Sequence, residues 1–348
     1  MILVTGAAGL VGSELVRRIS ASGGPVAGTD SRIPAWTAGP LRVDAPFIPA
    51  DLLDPNACRS LFQEPVEAVV HAAARQHHSR PPRWGRRAFF DANVRMTRNL
   101  VVAARGAGVR SFVYVSSDMV YGMPPSRPLV ETDPPRPIGP YGESKLAGER
   151  VCLDAAGSRF DPCVLRPRLI VGPGRLGILK KLFDRIRTGR TVYMLGGGRN
   201  RYQMVAVADV AEACIAVARS NTTGVFNIGS TDPPTVHDLL AGVIRRAGSA
   251  SRLASLPVAA ANAALWALHA LRVAPLVPEQ FRIASVDYVL DTSLARRTLG
   301  WTPAYSDGEM LWAAYQTYID GPLGAVLKSR SGAAPAGSAD PRDLVSHP

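Results

Sequence analysis

The sequence predicts an α/β protein built on a doubly wound parallel sheet. Residues 2–4 form an apolar run, a glycine-rich turn follows, and residues 13–20 are amphipathic, which is the order strand, turn, helix. Apolar and amphipathic segments go on alternating to about residue 172, and beyond it the alternation weakens. We therefore expect a first domain in residues 1–172 and a smaller, mixed domain in residues 173–325, some of whose segments could return to the first.

Composition and charge limit what the chain can be. Its 348 residues are 47% hydrophobic and can bury a large core, so disorder of the whole chain is excluded. The formal charge of +12 comes mainly from arginine in a chain that is also rich in Gly and Pro, which indicates compositional bias rather than a nucleic-acid site. We expect no nucleic-acid partner, whereas anionic small substrates are compatible with this charge.

The cysteines and the N-terminus indicate the compartment. Cys58, Cys152, Cys163 and Cys214 have neither the spacing of a metal site nor that of a disulfide framework, so we expect reduced thiols and no bound metal. Met1 leads directly into the first apolar run, without a basic leader or a long apolar segment. These features favour a cytoplasmic protein.

Two segments near the C-terminus have unusual compositions. Residues 253–277 are rich in Ala and Leu, but prolines and polar residues interrupt them and leave no apolar run long enough to span a bilayer. We therefore predict a buried or cleft-lining helix there and no membrane partner. Residues 326–348 are mostly Ala, Gly, Ser and Pro with scattered charges, and we expect a disordered tail.

The glycine-rich turn predicts a dinucleotide site. Gly6 permits a tight turn, Gly9 lets the backbone approach a pyrophosphate, and Gly12 lets the helix pack closely on the strand. The N-terminus of that helix offers N–H donors to the phosphates. The residues expected to contact the cofactor here are Gly6, Ala8, Gly9, Leu10, Val11 and Gly12.

The acidic residue after the second strand favours NAD as the dinucleotide. Residues 25–29 form that strand and end at Asp30, where a carboxylate can bind the adenosine ribose. A carboxylate repels the 2′-phosphate of NADP, although Arg32 could offset that repulsion. Strand, glycine turn, helix and acid together predict a Rossmann domain.

A third short strand, in residues 47–50, leads to Asp51 and Leu52. Asp51 could face the adenine amino group of the cofactor. A capping role for the helix predicted over residues 54–62 explains the local sequence equally well. Both alternatives stay open at this point.

A fourth strand, in residues 66–70, is followed by His71 and three alanines. The small side chains of Ala72, Ala73 and Ala74 would let a cofactor lie against the backbone. We interpret the isolated His71 as a structural, hydrogen-bonded histidine rather than a catalytic one.

A polar loop follows in residues 75–87. It leaves the carboxyl end of a strand, where open α/β sheets bind ligands, so it could capture an anion; an ordinary solvated loop is the alternative. The residues concerned are Arg75, Arg80, Arg83, Arg86, Arg87, His77, His78 and Trp84. A helix is predicted next over residues 89–106, with Asn93 and Asn99 as its notable polar positions.

A candidate catalytic set follows a fifth strand, in residues 111–115. Ser117 comes after this strand, where its hydroxyl can hydrogen bond to a substrate alcohol or carbonyl. Tyr141 and Lys145 are four residues apart, so on a helix they share one face. A cation beside the phenol favours the phenolate, which makes proton abstraction from an alcohol feasible. These three residues suit an alcohol–ketone redox centre.

The rest of the chain is less regular. We predict a sixth strand over residues 163–171, helices over 178–188 and 209–220, a glycine turn at 196–198, and a strand over 225–228.

Together these motifs resemble the extended short-chain dehydrogenase/reductase superfamily, in its NAD-dependent epimerase/dehydratase family. The resemblance covers about residues 2–320 and includes the glycine turn, Asp30, Asp51-Leu52, residues 71–74, Asn93, Ser116-Ser117, Val120-Tyr121-Gly122, residues 141–145, Leu165-Arg166-Pro167, Gly172-Pro173 and residues 299–303. It implies that Ser117 is the catalytic hydroxyl, that Tyr141 is the acid/base, and that Lys145 holds the nicotinamide ribose while tuning Tyr141.

The same resemblance implies further contacts. Besides Tyr141 and Lys145, NAD would touch Asp51, Leu52, Ala72, Ala73, Ala74, Asn93 and Pro167, and the substrate would touch Asp118, Arg168 and Arg201. A homodimer is implied, formed by the helices that follow Asn93 and Tyr141.

Departures from the family pattern bear on the reaction. Sugar 4,6-dehydratases carry Thr-Asp-Glu where this chain has Ser117-Asp118-Met119, and a thioether cannot act as the base, which disfavours dehydration. Many nucleotide-sugar epimerases place Asn where this chain has Leu169. Residues 165–174 are also similar to the 3β-hydroxysteroid dehydrogenase-like branch.

Three functions follow in order of preference. The first is an NAD-dependent sugar-nucleotide epimerase, acting at C4 by transient oxidation of an alcohol and return of the hydride. The second is an oxidoreductase of an apolar secondary alcohol. The third is a dinucleotide-binding sensor without catalysis, which the complete Ser/Tyr/Lys set disfavours.

Overall fold

A parallel β-sheet forms the centre of the structure, a computed structural model that describes residues 1–37, 42–76, 85–173, 179–271 and 278–330. The strands of the described chain are β1 (Ile2–Thr5), β2 (Val26–Asp30), β3 (Phe47–Pro49), β4 (Ala68–His71), β5 (Ser111–Val115), β6 (Asp161–Pro167), β7 (Leu169–Val171), β8 (Val192–Leu195), β9 (Met204–Ala206), β10 (Gly224–Ile228) and β11 (Leu253–Leu256). Seven of them form the central sheet in the order β10-β6-β5-β4-β1-β2-β3. This doubly wound order confirms the predicted Rossmann fold.

Helices cover both faces of the central sheet. Those of the described chain are α1 (Leu10–Ala21), α2 (Pro55–Ser60), α3 (Arg86–Phe90), α4 (Met96–Gly106), α5 (Pro140–Leu153), α6 (Leu179–Arg187), α7 (Val207–Ser220), α8 (Val236–Arg246), α9 (Val258–Ala270), α10 (Pro278–Phe281), α11 (Ser293–Leu299) and α12 (Asp307–Arg330). A single π-helical turn, Asp91–Arg95, joins α3 to α4. The helix predicted over residues 89–106 therefore begins earlier and contains this wider turn.

Alternating residues of the strands supply two separate cores. Val4 and Val70 face α1 and α7, whereas Leu3 and Val69 face the side covered by α2, α4 and α5. This is the two-residue period expected of strands that are buried on both faces. A third core, among α6, α8, α12 and the short strands, belongs to the second half of the chain.

The sixth predicted strand is two strands in the structure. β6 ends at Pro167 and pairs with β5 and β10, whereas β7 pairs with β9 outside the central sheet. Arg168 lies at the break, and its backbone N–H donates to Ile228 O. Although they come after residue 172, β10 is an edge strand of the central sheet and α7 packs on one of its faces.

Two expectations for the C-terminal half need correction. α9 falls in the segment for which we predicted a buried or cleft-lining helix, yet none of its 13 residues is buried. α12 continues to Arg330 after a break at Gly321, so it includes the first five residues of the predicted disordered tail. Residues 331–348 lie outside the described residues. Among the helices described, none is both long and apolar enough to cross a bilayer.

Candidate active site

The glycine turn joins β1 to α1 with no room for side chains. A Cβ on Gly12 would lie 2.2 Å from Gly6 O, and one on Gly6 would lie 2.6 Å from Ala73 N. Gly6 also has a φ of +70°, which is costly for other residues. The turn therefore holds the N-terminus of α1, with partly exposed Ala8, Gly9, Leu10 and Val11, at the carboxyl edge of the sheet.

Asp30 ends β2 beside this turn. Its carboxylate accepts hydrogen bonds from the backbone N–H groups of Ala8, at 3.1 Å, and Arg32, at 3.0 Å. The Arg32 Nε lies 3.7 Å from the same carboxylate, and its side chain is largely exposed. Asp30 thus has the position that the sequence predicts for an acid beside the cofactor ribose.

Asp51 and Leu52 follow β3 and lie in different environments. Asp51 is exposed and accepts a hydrogen bond from Leu53 N at 3.0 Å. Leu52 is buried in the core under α2, and its carbonyl accepts from Asn99 Nδ2. The helix cap is Asp54, whose side chain accepts from Asn56 N, so Asp51 is not needed for capping.

His71 is buried at the end of β4. Its ring is hydrogen bonded to Thr5 Oγ1 at 2.7 Å and to Thr97 Oγ1 at 3.0 Å. Burial, with a contribution from the Lys145 charge, lowers the pKa of His71 to about 3, so the ring is neutral. These contacts are those of a structural histidine.

The alanines after β4 and Asn93 shape the adjacent backbone. Ala73 N donates to Thr5 Oγ1 at 3.3 Å. Asn93, buried in the π-helical turn, accepts from Arg75 N at 2.7 Å and donates to Ser144 Oγ at 2.9 Å. Asn93 therefore ties the chain leaving β4 to the start of α5. Residues 77–84 of the predicted anion-capturing loop lie outside the described residues, and Arg86 and Arg87 belong to α3.

Ser117 and Tyr141 meet between the end of β5 and the start of α5. The side chains of Ser117 and Gln76 lie close enough to the Tyr141 phenol to act on its pKa, and both lower it. Ser117 Oγ donates to Asp118 Oδ1 at 3.0 Å and accepts from Met119 N at 3.2 Å. The structure thus brings together two members of the predicted catalytic set, with Asp118 as the direct partner of the serine.

Lys145 is on the same helix as Tyr141 but has a different contact from the one expected. Its Nζ donates to Val115 O at 2.6 Å and lies 4.2 Å from the centroid of the Tyr114 ring. Burial lowers the pKa of Lys145 to about 8. Burial also raises the pKa of Tyr141, and the Asp118 and Glu279 charges add to that rise. Burial therefore dominates the Tyr141 pKa, and the tuning of Tyr141 by Lys145 stays a prediction.

Asp118 and Arg168 form a buried ion pair. Arg168 Nη1 donates to Asp118 Oδ2 at 2.7 Å, and the side chains of Arg168 and Asp118 are only 2% and 5% exposed, respectively. The Arg168 guanidinium lies between two aromatic rings, 4.2 Å from the centroid of Tyr202 and 4.1 Å from that of Tyr288. Asp118 and Arg168, two of the three predicted substrate residues, are thus in contact with each other. Arg201, the third, is exposed and lies 3.6 Å from Asp232.

A second buried ion pair lies next to the site, and the sequence did not predict it. Arg166 donates through Nε and Nη2 to the two oxygens of Glu149, at 3.0 and 2.7 Å. Ser116 Oγ also donates to Glu149, and Arg166 Nη1 donates to Tyr121 OH at 2.9 Å. The network therefore links α5 to β6 and to the residue next to Ser117. The only signal in the sequence was that Arg166 interrupts an apolar strand.

Glu279 of α10 is a further contact of the site. Its Oε1 accepts a hydrogen bond from Tyr141 N at 3.3 Å, at the first turn of α5. Because 138 residues separate the two, no local pattern could have indicated this contact.

A family model described as the NAD dependent epimerase/dehydratase family matches residues 2–229. The chain belongs to this family. It is 33% identical over 264 residues to a UDP-glucose 4-epimerase of Mycolicibacterium smegmatis, covering 70% of this chain and 82% of the relative. It is 30% identical over 249 residues to a 4-hydroxy-2-methyl-3-oxo-4-farnesyl-3,4-dihydroquinoline-1-oxide ketoreductase of Stigmatella aurantiaca, covering 68% and 73%.

A solved structure supports the same family assignment. MoeE5 in complex with UDP-glucuronic acid and NAD superposes with a TM-score of 0.71 and 26% identity, covering 92% of this chain and 99% of that one. The family is NAD-dependent, which agrees with the cofactor predicted from Asp30.

The residues present fit NAD. The turn at Gly6 and Gly12 excludes side chains, the N-terminus of α1 has no acidic residue in its first turn, and Asp30 lies beside the turn. These are the donor groups and the acid that a dinucleotide requires. By contrast, no group of three or more His, Cys, Asp or Glu in the described part of the chain is placed to bind a metal.

Proposed function

We propose that this protein is an NAD-dependent sugar-nucleotide epimerase that acts at the C4 hydroxyl of the sugar. The observation that carries the proposal is the position of Ser117 beside the Tyr141 phenol, at the carboxyl edge of the sheet and on the same edge as the glycine turn. Relatives named as UDP-glucose 4-epimerases support the substrate class.

In this proposal the hydroxyl of Ser117 contacts the reacting oxygen and the Tyr141 phenol exchanges its proton. The Ser117 hydroxyl donates to Asp118 in the structure, and by rotating about its C–O bond it would donate to the reacting oxygen instead, which leaves the alcohol proton available to Tyr141. When bound, NAD⁺ supplies the hydride acceptor and a positive charge that favours ionisation of a nearby phenol.

Burial of the site restricts the proton exchange of Tyr141 to neighbouring side chains. Tyr141, Ser117 and Lys145 are all buried, so a proton leaving the phenol passes to hydrogen-bonded side chains more readily than to bulk water. The same proposal places Asp51 at the adenine and Arg201 at the substrate. It also includes a dimer in which α4 and α5 pair between two subunits.

A second candidate is a net oxidoreductase of an apolar alcohol or ketone. It is favoured by the relative named as a ketoreductase of a farnesylated quinoline oxide and by Leu169, where many epimerases have Asn. In that case the cofactor would be consumed in each turnover instead of being regenerated.

One experiment separates the two candidates. The purified protein is incubated with NAD and, in turn, UDP-glucose, UDP-galactose and UDP-glucuronate, and the products are followed by NMR while NADH absorbance is recorded. Interconversion of C4 epimers without accumulation of NADH is the expected result. Inertness toward all three substrates, together with steady NADH formation from an apolar secondary alcohol, would replace the epimerase with the oxidoreductase.

A further inference from the structure

α9 is an apolar helix in which every residue is at least partly exposed in the described part of the chain. Its sequence contains no Asp, Glu, Lys or Arg, and its polar residues are Asn262 and His269. Trp266 is 49% exposed, and Leu271, just beyond the helix, is 71% exposed. A helix that is apolar on every side is normally buried, so its exposure here marks an interaction surface.

One aromatic contact attaches α9 to the rest of the protein. The Trp266 ring meets the buried Phe281 ring of α10 edge-on, with 5.4 Å between centroids. The small parallel pair of β8 and β11 leads into the helix and adds two exposed apolar side chains, Tyr193 and Leu256. The apolar surface thus includes both the helix and the strands before it.

The stretch of sequence that contains β11 and α9 carries only positive charges. No Asp or Glu occurs between Leu239 and Leu271, whereas Arg245, Arg246 and Arg252 in that stretch are at least partly exposed. The Arg185 guanidinium lies 5.2 Å from the centroid of the exposed Tyr193 ring. The acid nearest in sequence to Arg185, Asp184, is already paired with Lys180 and Tyr318. Exposed arginines in the segments that precede an apolar helix complement an anionic interface.

We infer that α9 is an interfacial helix that attaches the protein to the surface of an anionic phospholipid bilayer. At about 1.5 Å per residue, 13 residues reach only about two thirds of the hydrocarbon thickness, so the helix lies in the interface instead of spanning it. Leu268 and Leu271, which are three residues apart and share one face, enter the acyl boundary, and the arginines contact the headgroups. This inference departs from the absence of a membrane partner predicted from the sequence and is independent of the proposed reaction.

Vesicle binding by the full chain tests the inference. Sucrose-loaded vesicles of phosphatidylcholine, with and without phosphatidylglycerol, are sedimented with the protein at low and high salt. We expect binding to the anionic vesicles, loss of binding at high salt, and at least about a tenfold loss in the variant Leu268→Glu/Leu271→Glu. Ile33→Glu is the matched control, because it places the same charge at an exposed apolar side chain elsewhere and should bind like the unmodified protein.

Two results would overturn the inference. One is equal sedimentation of the unmodified protein and the double variant with anionic vesicles. The other is a molar mass by light scattering that falls from dimer to monomer in the double variant, with no vesicle binding by either protein, since α9 would then be a contact between two copies of the chain. Circular dichroism of the double variant establishes that it is folded.

Discussion

Arg168 Nη1 and Asp118 Oδ2 are 2.7 Å apart in an almost fully buried ion pair, and Asp118 in turn accepts the hydroxyl proton of Ser117. The arginine therefore acts on the predicted catalytic serine through one intervening carboxylate. Because Tyr202 and Tyr288 hold the guanidinium between them, this orientation of Asp118 is built into the fold.

Removing the cation of this pair should destabilise the protein. In Arg168→Met the Asp118 carboxylate stays buried without its partner, and we expect a loss of about 3–5 kcal/mol in the free energy of unfolding, measured by urea denaturation. Arg201→Met is the control, because that arginine is exposed and should change stability by less than about 0.5 kcal/mol. Equal stability of both variants would show that the buried pair has no such role.

Tyr141→Phe should abolish turnover while preserving the cofactor site. The loss of the phenol proton should lower kcat by about 10²- to 10⁴-fold, with NAD affinity by calorimetry unchanged within about twofold. Tyr305→Phe removes a hydroxyl from an exposed side chain and should leave kcat unchanged. A Tyr141→Phe enzyme with normal kcat would remove Tyr141 from the proposed proton transfer.

His71 should make the protein less stable in mild acid. Its pKa is about 3 in the folded state and near 6.5 when unfolded, so between these values the unfolded chain binds the extra proton and stability falls as the pH falls. This one group should cost about 2 kcal/mol between pH 7.5 and pH 5. In His71→Gln the slope of unfolding free energy against pH should flatten over that interval, whereas it should persist in His237→Gln, which changes an exposed histidine.

Asp30→Ala should relax the choice between NAD and NADP. The carboxylate repels a 2′-phosphate, so its removal should raise the ratio of NADP to NAD affinity by about tenfold, or ~1.4 kcal/mol, in calorimetric titrations. Asp54→Ala removes the same charge from an exposed side chain and should leave the ratio unchanged. Tighter binding of NADP than NAD by the unmodified protein would contradict the role given to Asp30.

Replacement of two helical glycines by alanine should change the stability of the protein in opposite directions. In Gly12→Ala the new Cβ would overlap Gly6 O, so α1 must move away from the turn, with a loss of about 1–3 kcal/mol in stability and weaker NAD binding. A Cβ on Gly242 of α8 would meet no atom within 4 Å beyond its own helix backbone. Gly242→Ala should therefore stabilise the protein by about 0.5–1 kcal/mol and leave NAD binding unchanged, as thermal denaturation and calorimetry would measure.

Sequence reasoning succeeded where local pattern decides structure. The order apolar strand, glycine turn, helix and acid predicted β1, α1 and Asp30, because each step depends on neighbouring residues. The end of a parallel strand must lie at the carboxyl edge of the sheet, so Ser117 could be expected near the cofactor turn. Ser117 and Tyr141 were predicted together, and the structure brings them into contact.

Sequence reasoning was less informative where the contacts of a residue come from distant parts of the chain. That Asp118 and Arg168 touch substrate stays a prediction, but their pairing with each other between Tyr202 and Tyr288 had no signal in the sequence. The direction of the Tyr141 pKa shift depends on burial, which the four-residue spacing to Lys145 does not indicate. The composition of α9 predicted burial, because composition cannot show which surface of a fold stays uncovered.

The Glu149–Arg166 network also bears on how a hydride could return to the opposite face of a sugar. It ties α5, which carries Tyr141, to β6 and to Ser116 beside the predicted catalytic serine, so the phenol and the hydroxyl are fixed relative to each other. A rigid pair of this kind cannot follow a substrate from one face to the other. In an epimerase built this way, inversion must come from rotation of the ketone itself, and the freedom of that rotation depends on the residues that hold the nucleotide.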